Sequence, residues 1–413
     1  MRVGFLVEQL FAPVPGGTGR YTAELVAALA RTAAPGDGVT SWCALRPEHR
    51  PTARLTRLGG AAASRLTGGR LPGGQAPTAD AAIPGVLGPL RLPAGRRALA
   101  AAWARGVGPA PTGVDVVHAP TLLLPPRRKG TALVVTIHDA VPWTHPRTLT
   151  PHGARWHQEM GERAARTADA IVVPTLAVAE DLRSFLRVPE ERLHVVGEGI
   201  AEAVLRVGPD ADARARRLGL PPSGYLLTLA TLEPRKGLEV ALAALGMLTG
   251  PAVQLPLLHV GQPGWGGLDI DVEAKKLGVP IGRFRSLGRI DDADLAVVLS
   301  RATILVVPSR SEGFGLPVVE AMAHGVPVVV SDVPALVEVA GPAGTVVPVD
   351  DPQAIAAAVI RIAGDAALRA RLSRLGHERA QHFSWIEAAR ACWALYRRVN
   401  GSPAMSVADD GRA

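Results

Sequence analysis

Blocks of mostly apolar residues at 3–7, 114–118, 133–137, 170–173, 193–196, 225–229, 255–260, 303–307, 326–330 and 345–349 punctuate the chain. Such blocks read as strands buried on both faces rather than as a sheet with one face in water. Between them, apolar residues recur three and four apart. Over 18–30, Tyr21, Leu25, Ala28 and Leu29 fall on one side of a predicted helix. Further helices are expected over 96–105, 177–185 and 291–300, from Pro317, and from residues 352, 366 and 385, with a strand near 285–287. Strand, turn and helix in this alternation predict parallel α/β domains. The Gly- and Pro-rich stretch 199–222 separates two such series. We therefore expect one domain over 1–200, a second over 201–384, a further helix over 385–400 and a disordered tail over 401–413.

Composition narrows the class. Of the 413 residues 47% are hydrophobic, yet no apolar stretch approaches the roughly 18 residues of a membrane span. The first apolar run stops at Glu8, too soon for a signal peptide, so a cytoplasmic protein is expected. Cys43 and Cys392 match no metal or redox spacing. Charge is unevenly placed: residues 1–205 carry 23 Lys and Arg against 16 Asp and Glu, and residues 206–413 carry 22 against 21. The excess concentrates at 41–110, where ten Arg face only Glu48 and Asp80. A basic patch there suits an anionic partner such as a phospholipid surface or a polyprenyl phosphate, giving peripheral membrane contact. The segment 96–105, with Leu99, Ala102 and Trp103 on one side and arginines on the other, could lie on such a surface, although most helices of this kind pack on their own domain. Lys is scarce, so part of the Arg excess reads equally well as compositional bias. Nothing points to a nucleic-acid partner.

The most informative stretch is 309–332, SRSEGFGLPVVEAMAHGVPVVVSD, set between two buried strands as one βαβ step. Glu312 sits in the loop at the carboxyl end of the first strand, and Glu320 lies just inside the helix that Pro317 opens. Gly313 and Gly315 allow close backbone approach, and the free N–H groups of the helix start favour an anion. Acids beside a phosphate would repel it, so hydrogen bonds from sugar hydroxyls are the better use for both. On the residues alone, two solvated helix-end acids are an equal reading. Arg235 and Lys236 precede another helix, where cations are misplaced unless an anion binds between them. His118, His138 and Asp139 fall at strand ends, which topology places at a cleft; His138 is the stronger catalytic candidate, and capping the strand end is its bland alternative. Gly16 and Gly17 lie in a loop between the first strand and helix, which is either a ligand site or a tight turn. Asp-x-Asp pairs at 269–271 and 292–294 could hold a divalent ion but stand at helix starts, where Asp caps, and we predict no metal.

The motif EGFGLPVVEAMAHGVPVV, with its two glutamates seven residues apart, resembles the retaining nucleotide-sugar glycosyltransferases of family 4, and further stretches match from residue 3 to about residue 395. The resemblance implies a GT-B fold of two Rossmann-like domains facing each other across a cleft, the first for the acceptor and the second for a nucleoside-diphosphate sugar, and no cofactor. It implies that Glu320 holds the ribose and Glu312 the donor sugar. The Phe314, Gly315 and Leu316 backbone and the Gly16–Gly17 loop would lie near the sugar and phosphates. Arg235 and Lys236 would neutralise the pyrophosphate and His138 would contact the reacting sugar; by position, Asp139 would orient the His138 imidazole or bind an acceptor hydroxyl, and His118 would only line the cleft. GDP-mannose and a lipid-linked saccharide or other glycoconjugate are the substrates it favours. The chain departs from the family at Ala230-Thr231, where a Gly-Arg pair is usual, and at Glu198-Gly199-Ile200, where Asn-Gly-Val is usual. A nucleotide-sugar epimerase of the same fold and a non-catalytic nucleotide-sugar sensor are the rival readings.

Overall fold

A computed structural model describes residues 1–12, 14–45, 83–264 and 267–401. β1 (Arg2–Leu6), β2 (Gly38–Ala44), β3 (Val86–Leu92), β4 (Val116–Ala119), β5 (Ala132–Thr136), β6 (Ala170–Val173) and β7 (Leu193–Val195) form one sheet in the order 3-2-1-4-5-6-7. β8 (Leu226–Leu229), β9 (Leu257–Val260), β10 (Phe284–Ser286), β11 (Ile304–Val307), β12 (Val328–Ser331) and β13 (Gly344–Val347) form a second in the order 10-9-8-11-12-13. All strand pairings in both sheets are parallel. β4, β5, β6, β9, β11 and β12 are buried along their whole length, as their mostly apolar sequences favour, and the polar residues within them, His118, Thr136, His259 and Ser331, are buried too. Each sheet reverses its strand order once, between β1 and β4 and between β8 and β11. Loops at the carboxyl ends of the strands flanking such a switch open into a crevice.

One apolar cluster, running from Leu25, Leu29 and Trp393 to Val318 and Leu336, joins the inward faces of both sheets, and separate clusters fill the outer faces. The last helix, Trp385–Val399, packs on the first, Gly16–Arg31. Trp393 Nε1 donates to the Leu29 carbonyl at 3.1 Å, and Arg397 pairs with Asp37 at 2.7 Å. The helix Arg96–Ala104 turns Leu99 and Trp103 into its own sheet layer and leaves Arg96 and Arg97 exposed, with Ala102 only partly covered. Its apolar face is thus already occupied. The basic positions Arg46, Arg50, Arg54, Arg57, Arg65 and Arg70, and the tail beyond residue 401, lie outside the described residues.

Some elements escape the apolar-run pattern. The helix Pro151–Thr167 buries mainly Ala154, Gly161, Ala164 and Ala165, too small to register as an apolar stripe, and its start signal is the Thr150 cap ahead of Pro151. β2 alternates buried and half-buried positions, and β3 is a half-exposed edge interrupted by Pro89. Among the described residues no helix is long and apolar enough to cross a membrane.

Candidate functional site

Glu320 lies in the second turn of the helix Leu316–Ala323, whose start is set by Gly315 in the left-handed conformation at φ 93° and by Pro317. The chain can turn that sharply only without a Cβ, and the turn aims the second face of the helix at the crevice. Glu320 is 2% exposed. Its Oε1 is buried with no hydrogen-bond partner, the nearest cation being Arg20 Nε at 3.7 Å. Burial pushes its pKa up to about 7, with Arg20 opposing and Asp292, Glu198 and Glu24 adding to the rise. Arg20 belongs to the first helix and crosses the crevice to Asp292, Nη2 to Oδ1 at 2.6 Å. A carboxylate with an unused acceptor, buried at this depth, is a place for a hydroxyl pair to donate into.

Glu312 lies beyond the end of β11, facing the loop after β8. Its Oε1 accepts from Lys236 Nζ at 2.6 Å and from Ser309 Oγ at 2.7 Å, and Arg235 Nη1 stands 3.5 Å from Oε2. Burial would raise the Glu312 pKa, but the two cations and the hydrogen bonds outweigh it and hold it below the ordinary value. Lys236 is likewise pushed below its ordinary value, by burial first and by Arg235 second, with Glu312 restraining the fall. Arg235 keeps a raised pKa because Glu312, Asp139 and Glu233 overcome its own burial. The two cations thus meet at Glu312, with Arg235 Nε also paired to Glu233 Oε2 at 3.0 Å, and together they offer adjacent donors to an added dianion.

From the first sheet, His138 follows β5. Its Nε2 lies 2.8 Å from the Pro120 carbonyl, its Nδ1 3.8 Å from Glu198 Oε1, and its ring meets the Tyr21 ring edge-on at 4.6 Å. Asp139 accepts from the Val141 N–H and also faces Arg235. The halves touch here. A Cβ on Gly313 would come within 1.7 Å of the His138 carbonyl oxygen, so only glycine permits this approach. Thr175 Oγ1 donates to the Gly313 carbonyl at 2.9 Å, and the Glu338 carboxylate accepts both the Leu176 and Ala177 N–H groups at the start of helix Leu176–Phe185. Gly17 faces Leu316, and the space beside Gly16 is open. The Phe314 side chain turns away into the core against Phe383, leaving its backbone beside the crevice.

The structure therefore brings Glu312, Glu320, Arg235, Lys236, His138, Asp139, Gly16, Gly17 and the Phe314–Leu316 turn to one crevice. It removes His118. That residue is fully buried, with Nδ1 2.5 Å from the Tyr396 hydroxyl and Nε2 2.8 Å from Thr136 Oγ1. Burial drops its pKa to about 3, so it is a neutral core residue that ties the last helix down rather than a cleft residue. At 292–294 the helix cap is Asp291, while Asp292 holds Arg20 and Asp294 holds Arg214 and Arg217; Asp269 caps its helix as expected. Among the described residues no group of three or more His, Cys, Asp or Glu could hold a metal ion. Arg20 and Glu198 are the site residues that sequence reasoning missed. Arg20 directly follows the glycine loop, and Glu198 marked itself only as a departure from the family pattern.

Known proteins resemble both halves. A family model described as Glycosyltransferase Family 4 matches residues 15–203, and one described as Glycosyl transferases group 1 matches residues 223–365. The O-antigen chain mannosyltransferase B of Escherichia coli is 31% identical over 273 residues, 65% of this chain and 71% of that protein. A phosphatidyl-myo-inositol mannosyltransferase of Mycolicibacterium smegmatis is 38% identical over 173 residues, 41% of this chain and 44% of that one. Sucrose-phosphate synthase from Thermosynechococcus elongatus has the same fold at a TM-score of 0.71 and 23% identity, covering 97% of this chain and 99% of that chain. Anabaena HepE, solved with UDP and glucose, follows at 0.69 and 16%, covering 96% of this chain and 100% of that one.

Proposed function

This chain belongs to the family 4 glycosyltransferases and has the GT-B fold, and from that premise we propose that it moves a hexose from a nucleoside-diphosphate sugar to an acceptor hydroxyl with retention. The observation that carries the reading is Glu320: a fully buried carboxylate with one oxygen unused, facing the crevice, matches a ribose diol. Lys236 and Arg235 would take the diphosphate, whose arrival lets Glu312 turn from Lys236 to a hexose hydroxyl. This clamp needs no divalent metal. His138 would hold the reacting sugar, with Asp139 orienting it or receiving the acceptor.

In the step itself the C1–O bond to the diphosphate breaks and a C1–O bond to the acceptor forms on the same face. The departing phosphate oxygen takes the acceptor proton. Glu312 would hold a hexose hydroxyl and Glu320 the ribose, so neither serves as a covalent nucleophile. Contacts such as Gly313 against His138 close the crevice and keep water, and hence hydrolysis, out. The mannosyltransferases among the relatives favour GDP-mannose as donor, and a lipid-linked saccharide or other glycoconjugate as acceptor. The enzyme would work in the cytoplasm, meeting such an acceptor at the inner face of the membrane.

Thermal shift with GDP-mannose, UDP-glucose, UDP-N-acetylglucosamine and dTDP-rhamnose, each with EDTA and with Mg²⁺, tests this; a ligand at 100 times its Kd stabilises by about 2.7 kcal/mol. One donor should raise the midpoint without metal and fail to do so in Glu320→Ala. A shift that requires Mg²⁺ would refute the metal-free clamp.

A further inference from the structure

Arg310 lies between Ser309 and Ser311 in the loop that carries Glu312, and its partners converge on the Pro234–Lys236 turn. Its backbone N–H donates to the Arg235 carbonyl at 2.8 Å, and its Nη1 donates to the Pro234 carbonyl. In return, Arg235 Nη1 donates to the Ser311 carbonyl at 3.1 Å. The remaining guanidinium edge is taken by two acids from other elements. Nη2 meets Glu239 Oε1 at 2.6 Å, on the helix that follows the turn, and Asp350 Oδ1 at 2.7 Å. Nε donates to Asp350 Oδ2 at 3.1 Å, completing a two-point fork. Asp350 adopts φ 59°, the sole non-glycine residue with positive φ among those described. A residue held in that sparsely populated region signals that its surroundings over-determine it, and the partner it reaches in that conformation is Arg310.

We propose that Arg310 is a positioning residue for the diphosphate clamp: with Asp350 and Glu239 it fixes the Pro234–Lys236 turn so that Arg235 and Lys236 meet a diphosphate already in place. The proposal rests on the donor reading above. Arg310 itself is fully engaged and does not reach the ligand. Its effect passes through the backbone of the residues that do, so it acts on the phosphate end of the donor and not on the base or ribose.

Isothermal titration with GDP and GMP, and with UDP and UMP, on wild type, Arg310→Ala, Arg310→Lys and Asp350→Asn separates these contributions. In wild type the diphosphate should bind more tightly than its monophosphate. In Arg310→Ala that preference should fall about tenfold while monophosphate affinity holds. Arg310→Lys, which keeps the charge but lacks the fork, should fall nearly as far. Asp350→Asn lies on a half-exposed turn and withdraws the fork without opening the core; it should move the preference the same way and carries the test if Arg310→Ala folds poorly. A diphosphate preference that survives in all three variants, or mono- and diphosphate affinities that fall together, overturns the positioning role alone. A wild-type protein that shows no preference for either diphosphate overturns the donor reading and this proposal with it.

Discussion

Replacing Glu320 by Gln should stabilise the protein at pH 8 and abolish donor binding in the same stroke. The folded carboxyl holds its proton up to about pH 7, whereas the unfolded chain releases it near 4.5. Below 4.5 both states are protonated and stability does not change with pH through this group. Between 4.5 and 7 the folded state binds the extra proton, so the stability it contributes is fully present at low pH and is lost as pH rises through 7. The whole interval is worth at most about 3 kcal/mol, from 2.5 pH units at about 1.36 kcal/mol each. Gln has the same shape and no charge, so it escapes this loss. The difference in melting temperature between Glu320→Gln and wild type should therefore grow by several degrees from pH 5 to pH 8. Sugar hydroxyls donate best to the ionised form. Donor binding at pH 6 should accordingly release close to one proton, measured by calorimetry in buffers of differing ionisation enthalpy, and at pH 8, where the carboxyl is already ionised, almost none. A stability difference that is flat across pH would refute the reasoning, because it would mean that the buried group is not the one titrating.

Gly313→Ala sets a Cβ within 1.7 Å of the His138 carbonyl, so the crevice cannot close as described. Activity should drop at least 100-fold, the radius of gyration in small-angle scattering should rise, and melting should fall as the shared apolar cluster is uncovered; an active, compact variant would show that this contact is dispensable. His138→Ala should leave nucleotide affinity within a factor of about two while transfer falls by roughly 100-fold or more. Equal losses in binding and turnover would assign His138 to donor binding alone and reopen the distinction between enzyme and sensor.

The sheets of both halves were legible because β4, β5, β6, β9, β11 and β12 are covered on both faces and so consist of little but Val, Ile, Leu and Ala. Topology alone placed His138 and Asp139 at a crevice, while Glu312 and Arg235 stood out through the 309–332 motif and through cations set before a helix. Topology failed for His118 because that residue lies inside β4, paired opposite Val134, whereas His138 lies two residues past the end of β5. The ring nitrogen of His118 is taken by the hydroxyl of Tyr396, 278 residues away. Arg20 was missed for a matching reason: its partner Asp292 is 272 residues distant, and a single arginine after a glycine loop gives no sign of what it will reach. Long-range pairings of polar groups leave no periodicity behind, and small-residue helices such as Pro151–Thr167 leave little.

The bond between His118 and Tyr396 also fixes a schedule. At about 5 to 20 residues per second, a ribosome needs roughly 15 to 55 seconds to make the 278 residues that separate them. Until then His118 lacks its Tyr396 partner and the first helix lacks the Trp393 that covers it in the complete chain. The first half of the chain is synthesised early but completed last, and the same closing residues return the polypeptide across the junction between the halves. The two lobes are therefore strung on a double thread, which favours bending about one axis over free tumbling.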